Sequence, residues 1–276
     1  MYKKYHSLKK DKTFISHGGK RLKKINYPQF SIITVAKNAD STIERTIKSV
    51  LSQKKVKFEY IVIDGNSNDK TLDLIKKYSS KIDYWVSISD KGIYNAMNYG
   101  LKLSNSKIIC FVNADDFFFN KFSLSKVKNY FDFNHKLDFV FGTVKRHYLG
   151  NNLIIKTGFN KKKFLYNFDA QTSHSTGFFI TSKLQKKIGL YDEKFKCSSD
   201  YDLFFRIFSN PKINGAHTKK SEIIGVVSSG GFSSKFGFWN HLFEETKIRL
   251  KNKQNYFLII AIFFNSILKN YLRKLL

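Results

Sequence analysis

Phe30–Ala36 reads FSIITVA, an unbroken apolar run rich in β-branched residues. Such a run predicts a strand buried on both faces, as in a parallel sheet covered by helices. The chain on its carboxyl side alternates. Ser41-Thr42-Ile43-Glu44 has the form of a capping box. Ile43, Ile47, Val50 and Leu51 follow at helical spacing. A second strand is predicted at Phe58–Ile63 (FEYIVI), ending in Asp64-Gly65-Asn66-Ser67. Asp69 then caps a helix carrying Leu72, Ile75 and Tyr78. Tyr84–Ile88 reads as a third strand, Ile93–Leu103 as a helix, and Lys107–Val112 (KIICFV) as a fourth strand that ends at Asn113-Ala114-Asp115-Asp116. This β-α-β-α-β-α-β order defines an α/β fold, a mostly parallel sheet with helices on both faces. Right-handed crossovers place every loop after a strand on one edge, where open α/β sheets bind ligands.

Outward from this block the patterning is looser. A helix is expected near Ser123–Phe131, strands over Asp138–Tyr148 and Asn152–Thr157 forming a hairpin around Gly150, and a strand at Thr176–Ile180. Ser199 or Asp200 opens a helix bearing Leu203, Phe204, Ile207 and Phe208, and Glu222–Val227 reads as a last strand. Residues 1–28 read as a basic arm or an added strand or helix, 29–230 as the main domain, and 231–276 as a basic helical tail.

The chain has 276 residues, 42% apolar and 16% aromatic, so a large core is available and wholesale disorder is excluded. Forty-nine basic against 21 acidic residues leave a formal charge of +28, a field that draws anions. Cys110 and Cys197 are too far apart for a disulfide scaffold or zinc module. The basic start has no apolar core of a secretory signal. No run reaches the roughly 18 apolar residues of a membrane span. A cytoplasmic protein is expected. No G-x-G-x-x-G follows the first strand, and neither a Walker A sequence nor a nucleophile elbow is present, which argues against dinucleotide, P-loop and hydrolase sites.

What remains is a set of carboxylates at strand ends, Asp64, Asp90 and the pair Asp115-Asp116, all expected on one edge. Adjacent acids after a buried strand are costly unless solvated or paired with a cation. Hard oxygen donors suit Mg²⁺ or Mn²⁺ bridged to substrate phosphates. The competing reading is that each acid caps the turn or helix that follows, and Asp69 fits that role.

Five segments carry a resemblance. Phe30–Gln53 (FSIITVAKNADSTIERTIKSVLSQ), Tyr60–Thr71 (YIVIDGNSNDKT), Ser89–Gly100 (SDKGIYNAMNYG), Phe111–Asp116 (FVNADD) and Asp200–Arg206 (DYDLFFR) stand in order. They resemble the motifs of family-two inverting glycosyltransferases, in the subgroup that builds O-antigen, capsule and exopolysaccharide repeat units. The likeness covers about residues 29 to 230 and implies the GT-A fold. Two departures stand out. Asn113 replaces the first acid of the usual DxD motif, leaving Asp115 as the candidate metal ligand, and Ser199 replaces the acid before the catalytic Asp.

The resemblance implies a nucleoside-diphosphate-sugar donor, UDP first, with GDP or dTDP as alternatives. It implies a divalent metal, Mn²⁺ or Mg²⁺, and a polyprenyl-diphosphate-linked saccharide as acceptor. The backbone near Thr34, Val35 and Ala36 and the side chain of Asp64 would hold the base, with Asp64 accepting from a pyrimidine N–H. Asp90, Lys91, Asn113, Ala114 and Asp115 would line the rest of the donor site. His174 falls in an acceptor-side loop, and Phe117–Phe119 reads as packing or acceptor wall. Inverting transfer needs a base for the acceptor hydroxyl and charge stabilisation for the leaving diphosphate. Asp200 is the candidate base, kept ionised by its helix N-terminus; Asp202, two residues on, points elsewhere.

Tyr256–Leu268 (YFLIIAIFFNSIL) is strongly apolar but only about 20 Å long as a helix. Lys247, Arg249, Lys251 and Lys253 precede it, and Lys269, Arg273 and Lys274 follow. This pattern predicts an interfacial helix on anionic lipid at the inner face of the cytoplasmic membrane. Docking on the protein and a homodimer contact are the competing uses. A nucleic-acid-binding protein, or a membrane adaptor with a non-catalytic transferase-like domain, are the alternative readings. Against nucleic acid, no RRM, KH, helix-turn-helix or zinc pattern is present. Against the adaptor stands the intact set of Asp64, Asp115 and Asp200.

Overall fold

The computed structural model describes residues 13–20, 28–147, 153–166, 175–228 and 230–275. The predicted alternation is present as β2 (Phe30–Ala36), α1 (Ile43–Leu51), β3 (Phe58–Asp64), α2 (Thr71–Lys77), β4 (Tyr84–Ile88), α3 (Ile93–Leu103) and β5 (Ile108–Phe111). These four strands lie in the order β4-β3-β2-β5, each neighbouring pair parallel. All seven residues of β2 are buried, for a plain reason. Ile33, Ile61 and Ile63 point into a cluster on one face, with Met97 and Leu101 of α3. Ile32, Tyr60 and Val62 point into a second cluster, with Ile43, Ile47 and Val50 of α1. Alternate residues of one strand thus serve two cores.

The sheet is extended on both sides. β1 (Phe14–Gly18) pairs antiparallel with β4 at one edge, so part of the stretch expected as a basic arm is an edge strand. Beyond β5 the order continues through β10 (Phe178–Thr181) and β7 (Phe139–Phe141) to β11 (Gly215–His217). β10 runs antiparallel to both its neighbours, which keeps the eight-stranded sheet mixed but parallel at its centre.

A second sheet has the order β6-β12-β8-β9, from Phe117–Phe118, Ile223–Val227, Thr143–His147 and Leu153–Lys156. The single strand expected over Asp138–Tyr148 is therefore two strands in two sheets. The break falls at Gly142, whose amide donates to Gly177 O at 2.7 Å. A Cβ there would lie 2.8 Å from Ile224, so only glycine lets the chain cross so close to β12. The expected hairpin joins β8 to β9; its turn, around Gly150, lies outside the described residues.

The capping box does not form. Glu44 accepts instead from Tyr78 Oη at 2.7 Å and Lys77 Nζ at 3.1 Å on α2. Those two bonds hold its carboxyl down at about 2. A partner from another helix has displaced the local bond. Asp69 accepts from the Thr71 amide at 2.9 Å just before α2, but the N-cap position itself is Lys70 and has no side-chain cap bond.

The remaining helices are α4 (Ser123–Phe133), α5 (Lys161–Tyr166), α6 (Ser182–Ile188), α7 (Ser199–Phe208), α8 (Phe238–Lys251) and α9 (Tyr256–Leu275). α7 buries Leu203, Phe204, Ile207 and Phe208 among Phe139, Phe141 and Phe178. α9 runs on past the apolar stretch to Leu275, and no helix among the described residues is long and apolar enough to cross a membrane. It packs on α8, with Phe243 against Phe263.

Candidate active site

The loops after β2, β4 and β5 meet in a cleft of ≈ 450 Å³ at the carboxyl edge of the sheet. Val35 and Ala36 line it from β2, Asp90 from beyond β4, and Asn113, Ala114 and Asp115 from beyond β5. A larger cavity, ≈ 800 Å³, opens at the amino ends of the strands, but its described lining contains no carboxylate. The strand-end acids Asp90 and Asp115 lie on the cleft instead.

Backbone hydrogen bonds to side chains lace the first two loops together. Asn38 adopts φ 51°; its amide donates to Ser67 Oγ at 2.9 Å and its Oδ1 accepts from the Asn68 amide at 3.0 Å. The Ala39 amide donates to Thr71 Oγ1 at 2.7 Å, and the Asp40 amide to Asp69 at 3.2 Å. Asp64 is the knot beneath them. It is fully buried, accepting from Ser67 Oγ at 2.6 Å on Oδ1 and from Ser87 Oγ at 2.7 Å on Oδ2.

The groups expected to hold the base are the Asp64 side chain and the backbone of Thr34–Ala36. Asp64 is absent from the described cleft wall, and Thr34 is buried and bonded to Tyr60 Oη at 3.1 Å. Asp64→Ala strands the Ser67 and Ser87 hydroxyls. It is expected to cost about 1–3 kcal/mol of stability, the scale for orphaned buried polar groups. Urea unfolding measures this, and an unchanged midpoint with lost UDP binding would return Asp64 to direct contact.

Asp90 is nearly buried and pairs with Lys37 at 3.3 Å. Lys91 does not line the cleft; its amide donates to Asn95 Oδ1 at 3.4 Å. His174 lies outside the described residues.

Asp115 and Asp116 diverge from a turn over Asn113–Asp116, in which the Asp116 amide donates to Asn113 O at 3.0 Å. Asp116 turns inward, accepting from Thr176 Oγ1 and from the Ser228 amide at 3.0 Å. Burial pushes its carboxyl up to about 6, against those two bonds. Asp115 faces the cleft, half-exposed. Its backbone carbonyl is held by Arg45 Nη2 at 2.8 Å and Ser228 Oγ at 2.6 Å.

The far wall is Gly230, Gly231, Phe232 and Lys235. A Cβ at Gly231 would stand 3.1 Å from Asp115 Oδ2, so the glycine keeps space open before that carboxylate. The domain boundary expected at residue 230 cuts through this wall. The Gly-Gly pair was the available signal for it.

A smaller recess adjoins the cleft and shares Asn113, Asp115, Gly230 and Gly231 with it. Tyr94, Asp116, Arg146, Ser228 and Asp200 are among its other lining residues. Asp200 lies in the first turn of α7, and its Oδ1 accepts from Tyr94 Oη at 3.3 Å. Burial, and then the charge of Asp200, keep the Tyr94 phenol far above its ordinary pKa, so it remains a donor. Asp202 is fully buried, held by Arg206 at 3.0 Å and by Lys251 at 3.0 Å. Tyr94 falls in the Ser89–Gly100 segment that carries the resemblance but has no role assigned to it there, and Arg146 carries no sequence signal that distinguishes it from a surface residue. Phe117–Phe119 divides: Phe118 is core, Phe117 lies under Arg45, and Phe119 is exposed beneath Lys145.

A mixed sheet whose carboxyl edge carries a cleft, with one acid shared by an adjoining acid-bearing recess, is compatible with a glycosyltransferase. The sequence model of Glycosyl transferase family 2 matches residues 31–191, and the chain belongs to that family. A PGL/p-HBAD biosynthesis glycosyltransferase of Mycobacterium bovis is 28% identical over 189 residues, 67% of this chain and 72% of that protein. An uncharacterized glycosyltransferase of Rickettsia typhi is 27% identical over 273 residues, 88% of this chain and 83% of its own. The fold is GT-A. S. aureus TarS in complex with UDP superposes with a TM-score of 0.62 at 19% identity, over 80% of this chain and 64% of that one. The mannosyltransferase PcManGT from Pyrobaculum calidifontis, in complex with GDP-Man and Mn²⁺, gives 0.61 at 13% identity, over 95% and 74%.

Proposed function

We propose that this chain transfers a sugar, with inversion, from a nucleoside diphosphate to a hydroxyl of a lipid-linked glycan in surface-polysaccharide synthesis. One observation carries the reading: Asp115 borders both the cleft and the recess that contains Asp200. A donor in the cleft would present its diphosphate to Asp115 and its anomeric carbon toward Asp200. Val35, Ala36, Asp90, Asn113 and Ala114 would contact the nucleotide, with Lys235 facing it across the cleft. Asp200 would take the acceptor proton.

A divalent ion fits Asp115. The carboxylate is half-exposed with space kept before it by Gly231, and among the described residues no cluster of three potential protein ligands exists. One carboxylate completed by diphosphate oxygens is the usual habit of Mg²⁺ and suits Mn²⁺. Such an ion would neutralise charge on the leaving diphosphate. UDP is the first nucleotide to try, since TarS binds it, with GDP next. A thermal-shift screen of UDP-, GDP- and dTDP-sugars with Mn²⁺ tests the reading; no shift with any of them would sink it.

The acceptor side of the reading rests on the tail. Phe257, Ile260, Phe264, Leu268 and Tyr271 are exposed at helical spacing along α9, and Trp239 and Phe243 on α8 continue the apolar surface. Lys247 and Lys253 are exposed beside it. An apolar stripe with basic neighbours suits anionic lipid. Arg249 and Lys251, counted by sequence among the lipid-facing cations, are instead engaged with the protein: Arg249 is buried, and Lys251 bridges Asp192 and Asp202. Truncation after Asn252 is expected to weaken binding to phosphatidylserine vesicles by about tenfold or more. Co-sedimentation reads this, and unchanged binding would defeat the lipid assignment; a drop in molecular mass on truncation would assign the stripe to a dimer.

A further inference from the structure

We propose that Glu244 of α8 is a positioning residue that sets the orientation of Asp200. The proposal rests on Asp200 acting as the base. α7 starts at Ser199, and its N-cap, Ser198, makes no side-chain bond to the helix. A helix start leaves amide donors in need of acceptors. Here an acceptor arrives from a distant helix. Glu244 Oε1 accepts from the Lys196 amide at 2.6 Å, and Oε2 accepts from the Cys197 and Ser198 amides at 2.9 Å each. Cys197 Sγ donates to the same Oε2 at 3.2 Å. One carboxylate thus fixes three successive peptide units that lead directly into the turn bearing Asp200.

Burial alone would raise the Glu244 pKa, but the three amides outweigh it and hold the carboxyl below its usual range. The clamp is therefore charged at neutral pH, and charge-assisted bonds are the stronger kind. The grip continues on the other side of Asp200. Arg249 Nη2 donates to Tyr201 Oη at 2.6 Å, and Lys251 and Asn252 donate to Asp202 at 3.0 and 3.3 Å. Residues 196–202 are thus held from α8 before and after Asp200. α8 lies beyond residues 31–191, so the family match assigns it no role. A base displaced by about 1 Å can lose 10²-fold in rate, which makes a clamp on its turn a kinetic device as well as a structural one.

The test compares wild type, Glu244→Ala, Glu244→Gln and Asp200→Asn in release of UDP from UDP-N-acetylglucosamine and of GDP from GDP-mannose. Calorimetric binding of UDP and GDP and amide hydrogen exchange accompany it. Glu244→Ala is expected to lower turnover about tenfold or more, leave nucleotide affinity within about twofold, and speed exchange over residues 196–203. Glu244→Gln keeps one carbonyl oxygen for the Cys197 and Ser198 amides and should fall between. If the Ala variant does not fold, the Gln variant decides by the same split. Full turnover per folded molecule in both Glu244 variants, with Asp200→Asn inactive, overturns the clamp alone. Full turnover in Asp200→Asn overturns the base reading instead. Turnover and nucleotide affinity falling together would make Glu244 a general stabiliser and would also overturn the clamp.

Discussion

Asp200→Asn is expected to lower turnover by about 10²-fold or more, the scale of a general-base contribution, with nucleotide binding unchanged. The substitution is clean for a structural reason. Both the Tyr94 hydroxyl, at 3.3 Å, and the Tyr201 amide, at 2.9 Å, donate to Asp200 Oδ1. Asn retains an oxygen for that position and changes only the other arm of the group, where an amide cannot take a proton. A capping role predicts the opposite, because Asn caps a helix as well as Asp. Capping is also not what the geometry assigns to this residue: Asp200 lies inside the first turn, after the N-cap Ser198. Single-turnover kinetics beside UDP calorimetry separate the cases. A near-normal rate would move the base role to another acid, and Asp202 would be a poor successor, since it is fully buried and held by Arg206 and Lys251.

Asp115→Ala should have an effect of similar size by a different route. The loop keeps two backbone anchors without this side chain, because Arg45 and Ser228 hold its backbone carbonyl. The fold should therefore survive, while Mn²⁺ no longer strengthens nucleotide binding and metal-supported transfer falls by about 10²-fold or more, as when a transition-state charge loses a preorganised partner. Titrating UDP with and without Mn²⁺ reads the coupling directly. The same Mn²⁺ dependence in the variant as in wild type would place the ion elsewhere. Comparison with Asp64→Ala sharpens the result: that change should appear in unfolding, because Asp64 is buried among Ser67 and Ser87.

Much of the framework is legible in the sequence. The runs at 30–36, 58–63 and 84–88 could be read as strands because residues buried on both faces are predominantly apolar. Ile93–Leu103 was legible as a helix to the residue. Less was legible where local pattern and distant partner compete. Ser41-Thr42-Ile43-Glu44 looks like a cap, yet Tyr78 and Lys77 take Glu44 away. Asp138–Tyr148 looks like one strand, yet the approach of Ile224 to Gly142 splits it between two sheets. β1 and β11 are short and lie at the sheet edges, where burial is partial and the hydrophobic signal weak.

By itself, the amino-acid sequence determined the parallel centre of the sheet, and with it the edge at which the strand-end acids collect. Residue periodicity is local and burial on two faces leaves a plain mark. Which acid faces the cleft was decided only by tertiary structure. Asp64, Asp116 and Asp202 are withdrawn from it by Ser87, by Thr176 and Ser228, and by Lys251, all brought from other elements. Asp90 and Asp115 are left on the cleft wall, and Asp115, Asp116 and Asp200 on the wall of the adjoining recess. A carboxylate's exposure depends on which donors the rest of the chain delivers to it, and no pattern of neighbours along the sequence records that delivery.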